Sequence, residues 1–337
     1  MKKIKVGIAG LGRLGRVHAQ NLAFKIPNAE LTAACSIVPA ELDYAKNELG
    51  VADVYTDFRE MLAKADIDAV AIVTTSSEHC WQVEAALDAG KHVFTDKPLG
   101  VDVNQCKIAE AAVERHPDKI FFLGFMRRYD PSYAYAKKKI DEGAIGTPYM
   151  VKATGIDPEA LVEGSIKFAA NSGGIFIDMA VHDIDLMRWF LGSEPVQVHA
   201  LGTTFKHPEF RDAHDDETGV AVYKCENGAI GMVHVGRTAP HGYHVETEIV
   251  GTEGSIRISP VPEKNLAILY NQHGVVQECV ESFPVRFAEA YLLEMQEFIN
   301  CIEENRKPGV TVYDGTKSTD IAFKTTEAWK YGTIVKI

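Results

Sequence analysis

No apolar run in this 337-residue chain approaches the length of a membrane-spanning helix, so no such helix is expected. Surplus positive charge is missing as well. Against 47 Asp and Glu stand 35 Lys and Arg, a formal net charge of −12, which argues against nucleic acid or an anionic membrane as partner. The six cysteines, at 35, 80, 106, 225, 279 and 301, form no C-x-x-C pair and lie in apolar or helical contexts. They read as reduced thiols, so neither a disulfide framework nor a metal site is expected. Met1-Lys-Lys-Ile-Lys-Val6 opens like a secretion signal, but Lys5, Arg13 and several glycines interrupt any apolar core, and a cytoplasmic location is expected. Internal repeats and low-complexity segments are lacking too. What is present is a composition 46% hydrophobic, with length enough for two domains.

The first half alternates strand and helix signals. Ile4-Lys-Val-Gly-Ile-Ala9 suits a buried parallel strand, Gly10-Leu-Gly-Arg-Leu-Gly15 follows at once, and residues 17–24 have helical spacing. In that setting Gly10 permits a tight turn, Gly12 lets a pyrophosphate approach the backbone, and Gly15 lets helix and strand pack closely. Arg13 and Leu14 open the helix whose N–H groups face the phosphates. Six strands are expected in all, the further ones including 31–35, 69–73 as the fourth, 92–95 and 120–124, with helices at 39–49, 58–63, 78–89 and 103–114, making a doubly wound sheet over residues 1–124. An acid should end the second strand and bind the adenosine ribose. Ser36 stands there, with Arg13 and Arg16 nearby, so NAD is expected and NADP is left open. Thr74 and Thr75 follow the fourth strand, with His79 beyond them, and Asp96-Lys97-Pro98 follows the fifth; both lie at the sheet edge where ligands bind. Lys97, held extended before a proline, is aimed toward a nicotinamide.

Met126, Arg127 and Arg128 mark the exit into a second domain, residues 125–337, with a helix over 131–142. From residue 148 the texture is that of antiparallel strands, at 149–155, 196–205, 217–225, 229–236, 245–250, 255–258 and 266–270, with hairpin turns at Glu226-Asn-Gly228 and Gly251-Thr-Glu-Gly254. Helices are expected over 287–304 and 314–331. With helices on one face of this sheet, the other must meet solvent or a partner, and its Val, Ile, Ala and Tyr content favours a subunit interface. The loop Asn171-Ser-Gly-Gly174 leads into Ile175–Trp189. As one helix this stretch places Asp178, His182 and Asp185 within an arc of about 60°, on an element buried nearly all round. Two carboxylates bracketing a histidine make a tuned proton acceptor.

The glycine turn, Asp96-Lys97-Pro98, Gly124-Phe-Met-Arg-Arg-Tyr-Asp130 and the run from Gly173 to Asp185 together resemble the glucose-fructose oxidoreductase / inositol dehydrogenase / MocA family, most closely its inositol 2-dehydrogenases. The resemblance implies a Rossmann domain followed by an α+β domain with an open-faced sheet, and a homotetramer built through that face. It also implies a catalytic set of Lys97, Asp178 and His182. The family's usual Glu-Lys-Pro is Asp96-Lys97-Pro98 here, and its frequent Thr-Pro loop is Thr75-Ser76. The reaction implied is NAD(P)-dependent oxidation of a ring hydroxyl of myo- or scyllo-inositol. His182 would take the hydroxyl proton, Asp178 orient the imidazole and Lys97 favour the developing alkoxide. Arg127, Asp157, Asp185 and Tyr243 are candidates for the other hydroxyls, and Met126 for the cofactor. Another sugar dehydrogenase, a nicotinamide-dependent glycosidase or a sensor without chemistry are the alternatives on this scaffold.

Overall fold

The computed structural model describes residues 3–170, 172–259 and 261–337; Asn171, first residue of the loop ahead of the central helix, and the opening Met1-Lys2 lie outside them. In chain order the elements are β1 (Ile4–Ala9), α1 (Arg13–Phe24), β2 (Ala29–Cys35), α2 (Pro39–Glu48), β3 (Asp53–Tyr55), α3 (Phe58–Lys64), β4 (Ala69–Ile72), α4 (His79–Asp88), β5 (His92–Asp96), α5 (Val103–Arg115) and β6 (Phe121–Gly124). Then come α6 (Pro131–Asp141), β7 (Pro148–Pro158), α7 (Val162–Ala169), α8 (Ile175–Asp178), α9 (Val181–Leu191), β8 (Pro195–Thr203), α10 (Glu209–Asp212), β9 (Thr218–Cys225), β10 (Ile230–Ala239), β11 (His244–Gly251) and β12 (Ser255–Ile258). The chain closes with β13 (Glu263–Asn271), β14 (Gly274–Cys279), α11 (Phe283–Arg286), α12 (Ala288–Glu303), α13 (Val312–Tyr331) and β15 (Val335–Lys336). They form two compact units, one of Met1–Tyr129 with Glu289–Thr319, the other of Asp130–Ala288 with Asp320–Ile337.

The first unit is the doubly wound sheet, all parallel, in the order β3-β2-β1-β4-β5-β6. The order reverses between β1 and β4, which opens a ligand crevice at the carboxyl ends of those strands. Strands this apolar need cover on both faces. Part of that cover comes from α12, whose Met295, Phe298 and Ile299 join Phe94 and Phe122 in the core. Helix α3 starts as its sequence suggests, with the Asp57 side chain accepting from Glu60 N at 2.7 Å.

The second unit is built on a seven-stranded sheet, β12-β11-β7-β10-β9-β8-β15, antiparallel except where β10 lies parallel to β7. Cross-strand partners put Leu201, Val220, Val222 and Ile230 on one face, where all are exposed, and Ala200, Ala221, Tyr223 and Val233 on the other, where all are buried. Helices α8 and α9 pack on the buried face. At Gly231 any side chain would collide with the Met187 thioether of α9, so the glycine is what lets helix and sheet meet this closely.

Two expectations change. The stretch read as one helix from Ile175 is two, α8 and α9, broken at Met179–Ala180. Asp157 stands inside β7, and Tyr243 sits just ahead of β11. The strand expected at 266–270 is half of a separate hairpin, β13–β14, both of whose strands are exposed almost throughout.

Candidate active site

In the first unit every expected cofactor residue up to Lys97 lies at the carboxyl edge of β1, β2, β4 or β5. Gly10 has φ +85°, and a side chain there would collide with the Val73 carbonyl. One at Gly15 would strike the Gly10 carbonyl. Gly12 has nothing closer than Glu41 Oε1 at 4.0 Å. The turn is therefore closed at Gly10 and Gly15 and open at Gly12, the N-cap of α1, where a pyrophosphate would meet free N–H groups. Arg13 and Leu14 form the first helical turn.

At the end of β2 a carboxylate is present, supplied by the helix that follows. Buried Ser36 donates from Oγ to Glu41 Oε2 at 2.6 Å, and the Leu11 amide inside the glycine turn donates to the same oxygen at 3.2 Å. Glu41 belongs to the first turn of α2. Arg16 is engaged otherwise: its Nε donates to Leu11 O at 3.2 Å and its guanidinium lies 4.4 Å from the Tyr44 ring centre. Glu41 is a residue that reading the strand end alone misses; an acid just after Pro39, in the helix leaving that strand, is the signal that finds it.

Thr74 donates from Oγ1 to Gln82 Oε1 at 2.6 Å, and Thr75 O accepts from Glu78 N at 2.8 Å. The buried His79 ring lies between two carbonyls, Nδ1 at 2.8 Å from Pro98 O and Nε2 at 3.2 Å from Thr74 O, so it braces the loop after β4 against the loop after β5. Asp96 Oδ1 accepts from Lys97 N at 2.8 Å. Burial raises the Asp96 carboxyl above its ordinary pKa, with the Lys97 ammonium and His79 opposing. Met126 and Arg127 are buried in a 3-10 turn after β6. Arg128 pairs with Asp314 at 3.1 Å within the same unit.

In the second unit α9 buries His182 in its first turn and Asp185 one turn on. Asp178, at the end of α8, is partly exposed. The break between the helices leaves Asp178 and His182 four residues apart but on separate segments. Asp178 Oδ2 accepts from Arg237 Nη2 at 3.2 Å, and Arg237 Nη1 donates to Asp215 Oδ2 at 2.6 Å. Sequence reading named neither Arg237 nor Asp215. Asp185 has Arg188 Nη1 at 4.0 Å, but Arg188 forms its short pair with Glu194, Nε and Nη2 each at 2.7 Å. Tyr243 is buried between the rings of Phe283 and Phe287. Among the described residues no group of three or more His, Cys, Asp or Glu could hold a metal ion, and no helix is long and apolar enough to cross a membrane.

The first unit has the elements of a dinucleotide-binding site. Comparison with known proteins agrees. A family model described as "Oxidoreductase family, NAD-binding Rossmann fold" matches residues 4–125, and one described as "GFO/IDH/MocA C-terminal domain" matches residues 133–257. The chain is 35% identical to the scyllo-inositol 2-dehydrogenase (NAD(+)) of Bacillus subtilis, covering 99% of this chain and 96% of that one. Among solved structures, the scyllo-inositol dehydrogenase of Lactobacillus casei with bound NAD(H) and scyllo-inositol is 47% identical, with TM-score 0.97 and 99% of each chain covered. The myo-inositol 2-dehydrogenase of Lactobacillus plantarum is 42% identical, with TM-score 0.97 and 100% of each chain covered.

Proposed function

The chain belongs to the Gfo/Idh/MocA family of NAD-binding oxidoreductases, and on that premise we propose that it is an NAD-dependent inositol 2-dehydrogenase, oxidising one ring hydroxyl of scyllo- or myo-inositol to the ketone. The observation that carries the reading is end-to-end similarity to an enzyme holding NAD(H) and scyllo-inositol, joined to a chain that has its own glycine turn, lysine and aspartate–histidine pair.

NAD, when bound, supplies the hydride acceptor. The glycine turn and the start of α1 would hold its pyrophosphate, and Glu41 with Ser36 would hold the adenosine ribose through its hydroxyls. His182 takes the proton from the reacting hydroxyl, and Lys97 donates a hydrogen bond to that oxygen as negative charge develops on it. Asp178 orients the imidazole and stabilises its cation. Asp185, Asp157, Arg127 and Tyr243 offer partners for the remaining hydroxyls; a site so built rejects a polyol that leaves one of them unpaired. His79 contributes by fixing the two loops that carry Thr74 and Lys97. The protein works in the cytoplasm as a homotetramer assembled through the open sheet face, where Leu201, Val220, Val222 and Ile230 are exposed together.

The test is a spectrophotometric screen of NAD and NADP against inositols and hexoses. NADH formation with scyllo- or myo-inositol is the expected result, and the faster of the two identifies the substrate. Absence of net NADH with every free polyol would overturn the reading and favour a glycosidase that recycles its cofactor.

A further inference from the structure

Arg237 is a buried cation with more carboxylate around it than neutralisation requires. It sits in β10 at 1% exposure, its Cζ 5.0 Å from the Phe210 ring centre. Asp215, equally buried, already pairs with it at 2.6 Å. A buried charge needs one such partner. Yet Nη2 of the same guanidinium also donates to Asp178 at 3.2 Å, and Asp178 is the partly exposed member, its side chain 32% accessible against 1% for Asp215.

Asp215 has a second task. Its Oδ1 accepts from the Ile175 amide at 2.9 Å, so it holds the first residue of α8, while Arg237 holds the last. Gly174, with φ +94°, brings the chain past Asp215, whose Oδ1 lies 3.6 Å from where a Cβ would be. A single helical turn of four residues cannot hold its own shape. A closed circuit holds it instead, from the Ile175 amide to Asp215, to Arg237, to the Asp178 carboxylate and back along the backbone. Asp216 completes the anchoring, its amide donating to Asp215 Oδ1 at 2.9 Å and its carbonyl accepting from Arg237 Nη1 at 3.4 Å.

We propose that Arg237 and Asp215 are positioning residues, clamping α8 at both ends so that the Asp178 carboxylate keeps one orientation toward His182. This rests on the reading of Asp178 and His182 as the proton-handling pair. Catalytic geometry must hold to within about 0.5 Å, and only a bidentate planar fork can grip two carboxylates at once.

The experiment is a double-mutant cycle on turnover of the preferred inositol. Arg237→Met should lower kcat about 10- to 100-fold while leaving the KM for NAD unchanged. Arg237→Lys, which keeps the charge but loses the fork, should recover part of the loss. Because Arg237 acts through Asp178, the double variant Asp178→Asn/Arg237→Met should fall within about twofold of Asp178→Asn alone. Full multiplication of the two losses, or an Arg237→Met kcat within about twofold of wild type, would overturn the inference. Should Arg237→Met fail to fold, Asp215→Asn and Arg237→Lys carry the same cycle. A second readout needs no substrate: the Cε1–H resonance of His182, assigned by its loss in His182→Asn, should move alike in Arg237→Met or Arg237→Lys and in Asp178→Asn. An unmoved resonance would refute the clamp even if no polyol were oxidised, whereas an inactive wild type with a responsive resonance would count against the functional reading alone.

Discussion

Replacing Glu41 should change which nicotinamide cofactor the protein prefers. Its carboxylate sits where the adenosine ribose of a dinucleotide falls in this fold, held by Ser36 Oγ at 2.6 Å and the Leu11 amide at 3.2 Å. A 2′-phosphate at that place would bring two anions to about 4 Å, a repulsion of about 4 kcal/mol at an effective dielectric of 20 and about 1 kcal/mol in water. Glu41 is half-buried, so the smaller half of that span applies, about 1–2.5 kcal/mol. With NAD the same carboxylate accepts from a ribose hydroxyl, and a hydrogen bond to a charged group contributes about 1.5–3 kcal/mol. The two effects act in the same direction. Glu41→Gln should therefore lower the ratio of NAD to NADP affinity by about 10²-fold or more at 1.4 kcal/mol per decade. Arg16 is engaged by Leu11 O and Tyr44. Fluorescence titration with NADH and NADPH measures both constants directly, without any polyol. An unchanged ratio in Glu41→Gln would refute the argument and leave Ser36 and Arg13 as the determinants.

His182→Ala should lower kcat by about 10²–10⁴ with NADH binding retained; stopped-flow measurement of the first turnover checks it, and near-full turnover would remove His182 from the reaction. Glu294→Gln should stabilise the protein at neutral pH. Burial, with the Asp96 carboxylate adding to it, lifts the Glu294 carboxyl well above its ordinary range, so the stability this group contributes is complete below about pH 4.3 and is lost as pH rises toward the folded-state value. The gain in Tm from the substitution should vanish near pH 4 and grow above it; parallel Tm–pH curves would refute this. His18, 3.8 Å from Glu294, acts on the other side: burial lowers its pKa to about 3, so it stays neutral in the fold and stability falls as pH drops from about 6.5 toward that value. Val222→Glu places a charge on the open sheet face and should dissociate the proposed tetramer, read by sedimentation velocity; a tetramer left intact would move the interface elsewhere.

What sequence could show of this molecule follows from how far apart the deciding residues lie. The glycine turn is decided within six residues, and each of its three roles is met sterically at Gly10, Gly12 and Gly15. The alternating strands and helices of the first half were legible for the same reason, since an apolar run or helical spacing is a local property. Where a partner comes from far along the chain, local pattern misleads. Helical spacing across Ile175–Trp189 reads as one helix, but Asp178 answers to Arg237, 59 residues on, and the turn it closes stands apart from α9. Helix α12 shows an apolar face without showing whose core it fills, and it packs with Phe94 and Phe122, over 170 residues earlier. One signal did lie in the sequence. Along β10, Val233 and Val235 alternate inward, and the next inward position is Arg237. An arginine on a buried face must have carboxylates waiting for it; the alternation identifies the charge, and only the fold can say that the waiting carboxylates are Asp215 and Asp178.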